Sequence, residues 1–310
     1  MSPAVVGSAL LPVILVIALA FLIRRVGLVT DAHVAGVERV TYVVFFPTLL
    51  FSNLSTASFD DPSVWTLALL LAGTHLTVGI LAWIFYTRSR LDGPSATSGF
   101  QGAVRFNSYI VLALAFAVYG AEGVQNITVP MALMIITINI LCVSILARYG
   151  APEEGVEAPS LVKALATNPL ILACAAGLAI NPLQIDWPGP VDTAFGWFST
   201  AAIAMGLFAV GAGLRPISGK GSVFAIATSS MIKLLLMPAL FLSFAFAVSL
   251  PRELAALGLL ATIVPGATSS YILARQLGGN APLMAQSVTV GTVLSAATVT
   301  GWFILWPHLY

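Results

Sequence analysis

Charged residues are scarce in this sequence. Lys, Arg, Asp and Glu make up 8% of its 310 residues, and hydrophobic residues make up 59%. Soluble domains carry about 25% charged residues. The net charge of +1 leaves no basic surface for a nucleic acid. These shortages exclude an ordinary soluble domain, and we expect a chain embedded in the lipid bilayer with no nucleic-acid partner.

Histidine and cysteine are also few. The three histidines are far apart, and the sequence contains no HExxH motif. Cys142 and Cys174 each lie in the middle of an apolar stretch, without CxxC spacing. We therefore expect no enzyme activity, no catalytic residue, no metal site and no cofactor.

The chain is rich in long apolar runs. A helix needs about 20 apolar residues to cross a bilayer. Ten such runs occur, near residues 4–23, 34–55, 64–87, 96–119, 123–147, 161–182, 190–214, 222–250, 253–276 and 281–306. The first run lacks a basic segment before it, so we interpret it as a retained span rather than a cleaved signal. The sequence predicts an all-α integral membrane protein with ten transmembrane helices.

Basic residues favour alternate connectors between these runs. Ten of the thirteen belong to the odd-numbered connectors, namely Arg24, Arg25, Arg39, Arg88, Arg90, Arg148, Lys163, Arg215, Lys220 and Arg275. The positive-inside rule places such connectors in the cytoplasm. We expect a multi-pass protein of the plasma membrane, which in a bacterium is the inner membrane, with both termini outside.

Polar residues interrupt the fourth and ninth runs at corresponding places. The tetrad at 107–110 (Asn-Ser-Tyr-Ile) returns 162 positions later at 269–272 (Ser-Ser-Tyr-Ile). Pro265 and Gly266 weaken the helix just before the second copy. Polar groups at bilayer depth must face protein, water or a solute. One interpretation is two kinked helices whose polar groups satisfy each other, and the other is a pair of broken helices that bind a solute.

Matching interruptions indicate an internal repeat. Residues 12–15 (Pro-Val-Ile-Leu) also return, 157 positions later, at 169–172 (Pro-Leu-Ile-Leu). An odd number of spans in each half inverts the second half relative to the first. We predict two inverted five-helix repeats, 1–150 and 161–310, joined by a cytoplasmic connector at 151–160, with crossed, broken fourth and ninth helices. Such an arrangement is typical of secondary transporters.

Several short motifs occur in order along the chain. They are Leu11 to Leu15 with Arg24-Arg25 closing the first span, Phe46 to Leu54, Asn168 to Leu172, Gly211 to Leu214, Lys233 to Pro238 and Pro265 to Gly279. Together they resemble the auxin efflux carrier family over nearly the whole chain. That family includes the plant PIN-formed auxin carriers and bacterial malonate-type transporters.

The resemblance implies a fold shared with bile-acid symporters and sodium/proton antiporters. In that fold, spans 1, 2, 6 and 7 form a scaffold, and spans 3–5 and 8–10 form a transport bundle that moves like an elevator. The resemblance also implies a homodimer, a binding asparagine at Asn107 and a second crossover from Pro265 to Ser270. The plant carriers have prolines where this chain has Ala113 and Ser270, so auxin is not carried over as the substrate.

The expected cargo is a small organic anion. The N-terminal ends of broken helices each carry about half a positive charge, and Arg105 adds a full one. No Asp or Glu lies in the central third of a predicted span. A mono- or dicarboxylate fits these charges, although Arg105 could instead reach the headgroups or pair with another element. The predicted substrate-binding residues are Arg105, Asn107, Ser108, Tyr109, Pro265, Gly266, Thr268, Ser269 and Ser270.

Two further ionisable residues lie at repeat-related places. His75 and Lys233 are 158 positions apart, in the third and eighth spans. Lys233 could support a crossover by donating to freed carbonyls, or either residue could carry a coupled proton. Na⁺ is the other expected coupling ion. Two alternatives remain: a sodium-coupled symporter of the bile-acid type, and a membrane receptor that transports nothing.

Overall fold

The computed structural model describes residues 3–57, 61–151, 161–214 and 223–310, with backbone alone at 3–10, 161, 164, 165 and 309. This part of the chain is helical and contains no strand, which confirms the all-α prediction. The helices are α1 (Pro3–Arg25), α2 (Asp31–Val40), α3 (Phe46–Ser55), α4 (Pro62–Thr87), α5 (Gly93–Val104), α6 (Ser108–Tyr149), α7 (Leu161–Ala166), α8 (Pro169–Ile180), α9 (Gly189–Gly213), α10 (Val223–Met231), α11 (Met237–Ala247), α12 (Arg252–Ile263), α13 (Ser269–Gln276) and α14 (Ala281–Leu309). Apart from Ala151, the predicted connector at 151–160 lies outside the described residues, as do Arg215 and Lys220.

Six helical stretches among the described residues are long and apolar enough to cross a membrane. They are Asp31–Ser55, Pro62–Thr87, Gly93–Tyr149, Gly189–Gly213, Val223–Ala247 and Ala281–His308. The stretch Gly93–Tyr149 has 57 residues, more than twice the ~20 that one crossing needs. It is interrupted between α5 and α6, and again at Gly120, where φ is 65° and ψ is −151°. The chain is a multi-pass membrane protein.

Two membrane helices contain a wider, π-helical turn that ends two residues before a proline. The turns are Thr41–Phe45, which joins α2 to α3, and Ile232–Leu236, which joins α10 to α11. Pro47 and Pro238 follow them by two residues and cannot donate a backbone hydrogen bond. The turns therefore accommodate the prolines without ending the helices, and π turns of this kind are frequent at functional sites.

Glycine lets two pairs of helices approach closely. α1 packs against α9, where a Cβ on Gly211 would lie 2.1 Å from the Ile17 carbonyl oxygen. α3 packs against α8, where a Cβ on Gly177 would lie 2.9 Å from the Phe51 carbonyl oxygen. Only glycine allows such backbone contact, as is common between membrane helices.

The ends of α3 and α9 are held by side chains from elsewhere in the chain. Arg24, at the end of α1, donates from Nη1 to the carbonyls of Ala212 (2.7 Å) and Leu214 (3.1 Å). Asn181, just after α8, donates from Nδ2 to three carbonyls at the end of α3, those of Leu54, Ser55 and Ala57. These carbonyls would otherwise lack partners, because the last turn of a helix leaves its acceptors free.

Candidate functional site

Two helical stretches are broken at the polar interruptions. α5 ends at Val104 and α6 begins at Ser108, while α12 ends at Ile263 and α13 begins at Ser269. Both breaks start with extended backbone, with ψ of 149° at Arg105 and 153° at Val264. Pro265 and Gly266 explain the second break, because both residues weaken a helix. The first has no proline, and there the Asn107 side chain bonds to the backbone of the helix that follows.

Asn107 links the two breaks. Its backbone N–H donates to the carbonyl oxygen of Pro265 at 2.8 Å. Its side-chain Oδ1 accepts from the N–H groups of Tyr109 (3.1 Å) and Ile110 (3.2 Å), which caps α6. Because both backbone groups are donors, the amide must present its oxygen to them. Nδ2 is left buried without a hydrogen-bond partner, in a residue that is 1% exposed.

A cavity lies beside this link. Six of the nine predicted substrate-binding residues line it, namely Arg105, Asn107, Ser108, Tyr109, Thr268 and Ser269. The centre of a water-sized sphere can occupy about 50 Å³ of this cavity. One water requires ~10–15 Å³ on the same measure, so the cavity has room for several. Pro265 and Gly266 line a different, smaller cavity. Ser270 lines neither of the two, and its buried hydroxyl has no partner.

Hydrogen-bond donors without acceptors dominate the polar wall of the first cavity. Arg105 Nη1 is buried and unpartnered, like Asn107 Nδ2. In the described part of the chain Arg105 forms no ion pair, although it does interact with the Cys142 thiol. The N-terminus of α13 also reaches the cavity, and the side chain of Thr268 makes no capping bond there. An anion would satisfy the Arg105 and Asn107 donors, and the positive end of the α13 dipole would also favour it.

The remaining wall comes from residues that were not among the nine predicted ones, although Ala267 lies within the predicted second crossover. They are Tyr42, Phe46, Ile135, Ile138, Asn139 and Leu170, together with Phe106 and Ala267 from the breaks. Tyr42 lies on the first π turn, so the proline two residues after that turn was a usable signal. The Phe46 and Tyr109 rings pack with their centroids 5.0 Å apart. The apolar residues carried no signal, because an apolar residue in a membrane helix is the expected type.

Space for the Tyr109 ring is made by a glycine on α9. A Cβ on Gly206 would lie 2.2 Å from Tyr109 Cγ. At the other end of the site, a Cβ on Gly213 would lie 3.5 Å from Glu38 Oε1 and 3.6 Å from Thr268 Cγ2. Gly206 is therefore required for the close approach of α9 to Tyr109, whereas the distances at Gly213 leave room for a Cβ.

His75 and Lys233 lie near different breaks. His75 is fully buried, with Nδ1 2.8 Å from the Leu71 carbonyl oxygen, and its ring packs against Phe106 with centroids 5.9 Å apart. Lys233 lies on the second π turn and lines the smaller cavity beside Pro265 and Gly266. Its Nζ is 3.2 Å from Met237 Sδ. His75 Nε2 is buried and has no partner.

Comparison with known proteins adds an independent observation. A family model described as "Membrane transport protein" matches residues 5–303. A Rhizobium meliloti protein named "Putative malonate transporter" is 26% identical over 278 residues, which are 86% of this chain and 85% of that protein. A Methanothermobacter thermautotrophicus protein named "Uncharacterized transporter" is 20% identical over 300 residues, 96% of this chain and 97% of that protein. These names indicate transport rather than enzyme activity.

Proposed function

Because the chain belongs to the membrane transport protein family, that of the auxin efflux carriers, we propose that it is a secondary active transporter of a small organic anion. The observation that carries this proposal is the pair of free donors, Arg105 Nη1 and Asn107 Nδ2, beside a cavity where two broken helices meet. A carboxylate accepts from both donors. A dicarboxylate of malonate size is the first cargo to test, since the Rhizobium relative is named for malonate.

The proposed architecture is ten membrane segments in two inverted repeats. Helix lengths support it, since segments of similar length recur about 160 positions apart. The pairs are α1 with α7 and α8, α2–α3 with α9, α4 with α10–α11, α5 and 108–119 with α12–α13, and 121–149 with α14. The helix caps support it too. Arg24 and Asn181 are 157 positions apart, and each holds the C-terminal end of the second segment of the other repeat.

The location of the cavity supports an elevator mechanism. Tyr42, Phe46 and Leu170 belong to the proposed scaffold, formed by α1, α2–α3, α7–α8 and α9. Arg105, Asn107 and the α13 N-terminus belong to the proposed transport bundle. A site between the two groups is exposed to each side of the membrane in turn when the bundle moves against the scaffold. We further propose a bacterial inner-membrane homodimer with outside termini, coupled to H⁺ or Na⁺.

The test is flux in proteoliposomes. We expect saturable uptake of radiolabelled malonate or a related carboxylate, and counterflow when unlabelled substrate is loaded inside. A receptor on the same fold would bind without flux. A Na⁺ gradient that drives uptake at constant pH would favour the sodium-coupled alternative. Proton coupling through His75 or Lys233 predicts altered pH dependence in His75→Gln or Lys233→Met, and an unchanged profile in both would exclude these residues as carriers.

A further inference from the structure

The smaller cavity is a separate compartment next to the second break. It touches Pro265 and Gly266 but shares no lining residue with the larger cavity. Its other walls come from α5, from α10 with the π turn that follows it, and from α14. About 10 Å³ is open to the centre of a water-sized sphere. This is room for one particle, since a single water requires about 10–15 Å³ on that measure.

Buried donors surround this space. Ser230 and Ser287, 5% and 6% exposed, line the cavity with hydroxyls that have no hydrogen-bond partner. Lys233 is 2% exposed, and its ammonium group can donate three hydrogen bonds. Its contact with Met237 Sδ at 3.2 Å uses a weak acceptor. The cavity therefore presents more donor capacity than the protein satisfies.

The ammonium form of Lys233 places an uncompensated positive charge beside this space. Lys233 is the only Lys, Arg, His, Asp or Glu that lines the cavity. Within the described ranges no carboxylate pairs with it, and His75, which interacts electrostatically with Lys233 although it packs against the other break, supplies no negative charge. Burying a lone ammonium is strongly unfavourable. A bound cation would add to this cost, whereas a bound anion removes it.

We propose that the smaller cavity binds one monatomic anion, chloride in the cell, held by Lys233 Nζ and the hydroxyls of Ser230 and Ser287. The small space favours a monatomic anion over carboxylates, phosphate and sulfate, so we do not propose a second cargo site here. The anion joins α10 and its π turn to α14 beside the Pro265–Gly266 break. The proposal does not depend on which cargo the larger cavity binds.

The first test is halide-dependent stability. The protein is purified in sodium gluconate, and sodium chloride, bromide or sulfate is then added at constant ionic strength. We expect chloride and bromide to raise the Tm saturably, by about 2–4 °C at a tenfold excess over the dissociation constant. Sulfate should have no such effect, and Lys233→Met should abolish the halide response. An equal Tm change with chloride, bromide and sulfate, or no change with any of them, as for a cavity that holds only water, overturns the proposal.

A second pair of variants covers the case in which Lys233→Met does not fold. The double variant Ser230→Ala/Ser287→Ala should need at least tenfold more chloride for half the Tm rise. The matched control is Ser243→Ala, whose exposed hydroxyl donates to the Ala239 carbonyl of its own helix at 2.8 Å. An unchanged response in the double variant assigns the halide effect to another place and overturns the proposal.

Bromide also locates the site directly. Its anomalous scattering in crystals should give a peak in contact with Lys233 Nζ, and a peak elsewhere alone contradicts the assignment. The halide response should persist in Asn107→Ala, whether or not that variant transports malonate. Failure of the anion site and failure of the proposed transport function are therefore separable.

Discussion

The backbone N–H of Asn107 donates a 2.8 Å hydrogen bond to the carbonyl oxygen of Pro265 and so joins the two helix breaks. The side chain of the same asparagine caps α6 with Oδ1 and leaves Nδ2 free beside the larger cavity. Its three polar groups therefore have three separate tasks. A substitution that keeps the first two tasks and removes the third isolates the proposed role in substrate binding.

Asn107→Asp is that substitution. Aspartate keeps an oxygen that caps α6 and keeps the backbone link, so the Tm should change by only about 2 °C or less. Transport of a carboxylate should fall at least about 100-fold, because a hydrogen bond to a charge contributes about 1.5–3 kcal/mol and the new carboxylate repels the substrate. The measurements are initial uptake in proteoliposomes and Tm in detergent.

A helix cap at a distance from the cavity shows what the loss of a cap alone does to transport. Asp61 Oδ1 accepts from the Ser63 N–H at 2.8 Å and caps α4 in an exposed position. Asp61→Ala should lose up to about 2 kcal/mol of stability, as Asn107→Ala should, but keep normal transport. Wild-type uptake by Asn107→Asp would remove this side chain from the substrate site.

Arg105→Met should lower transport without lowering stability. Removal of a buried donor without a partner should leave the Tm unchanged or raise it. Uptake efficiency should fall about 10–100-fold, because the substrate loses one charged hydrogen bond. Arg88→Met is the matched control, since Arg88 is exposed and donates to the Ile84 carbonyl of its own helix at 3.2 Å. Equal uptake by both variants would contradict an anion site at Arg105.

The sequence predicted the helical class and the position of both breaks. Both predictions depend on local contrast, because a polar residue such as Asn107 is conspicuous in an apolar run. The internal repeat then indicated that residues 265–270 are the counterpart of the first break. Phe46 and Leu170, by contrast, line the cavity with side chains of the type that lipid-facing positions also carry. Their role depends on how the helices pack, which periodicity does not specify.

Contacts between distant segments also could not be predicted from the sequence. Asn181 follows a short apolar helix, where an asparagine suggests only the helix end. Its three hydrogen bonds reach carbonyls more than 120 positions earlier in the chain. The sequence left two roles open for Lys233, support of a crossover or proton transfer, and it did not predict that Nζ contacts Met237 Sδ, one turn along its own helix. The direction of a long side chain depends on the local π turn, which the sequence analysis did not anticipate.

Asn181→Ala should weaken the fold without changing substrate affinity. The side chain lines neither cavity, but its loss leaves carbonyls at the end of α3 without their donor. An unsatisfied buried acceptor costs about 1–3 kcal/mol, which should lower the Tm by several degrees. Thr200→Ala, which removes an exposed hydroxyl bonded within α9, should leave the Tm unchanged. A KM altered at unchanged Tm would contradict a purely structural role for Asn181.

Gly206→Ala should disrupt the cavity by displacing the Tyr109 ring. The added Cβ would lie 2.2 Å from Tyr109 Cγ, so the ring must leave its place against Phe46. Overpacking of this kind costs about 1–3 kcal/mol, and uptake should fall because Tyr109 lines the cavity. The control is Gly196→Ala on the same helix, where a Cβ meets nothing within 4 Å. Because alanine favours helix over glycine by about 1 kcal/mol, Gly196→Ala should be as stable as the wild type or more so, with full uptake. If the two variants behave alike in uptake and Tm, the contact between Gly206 and Tyr109 does not shape the site.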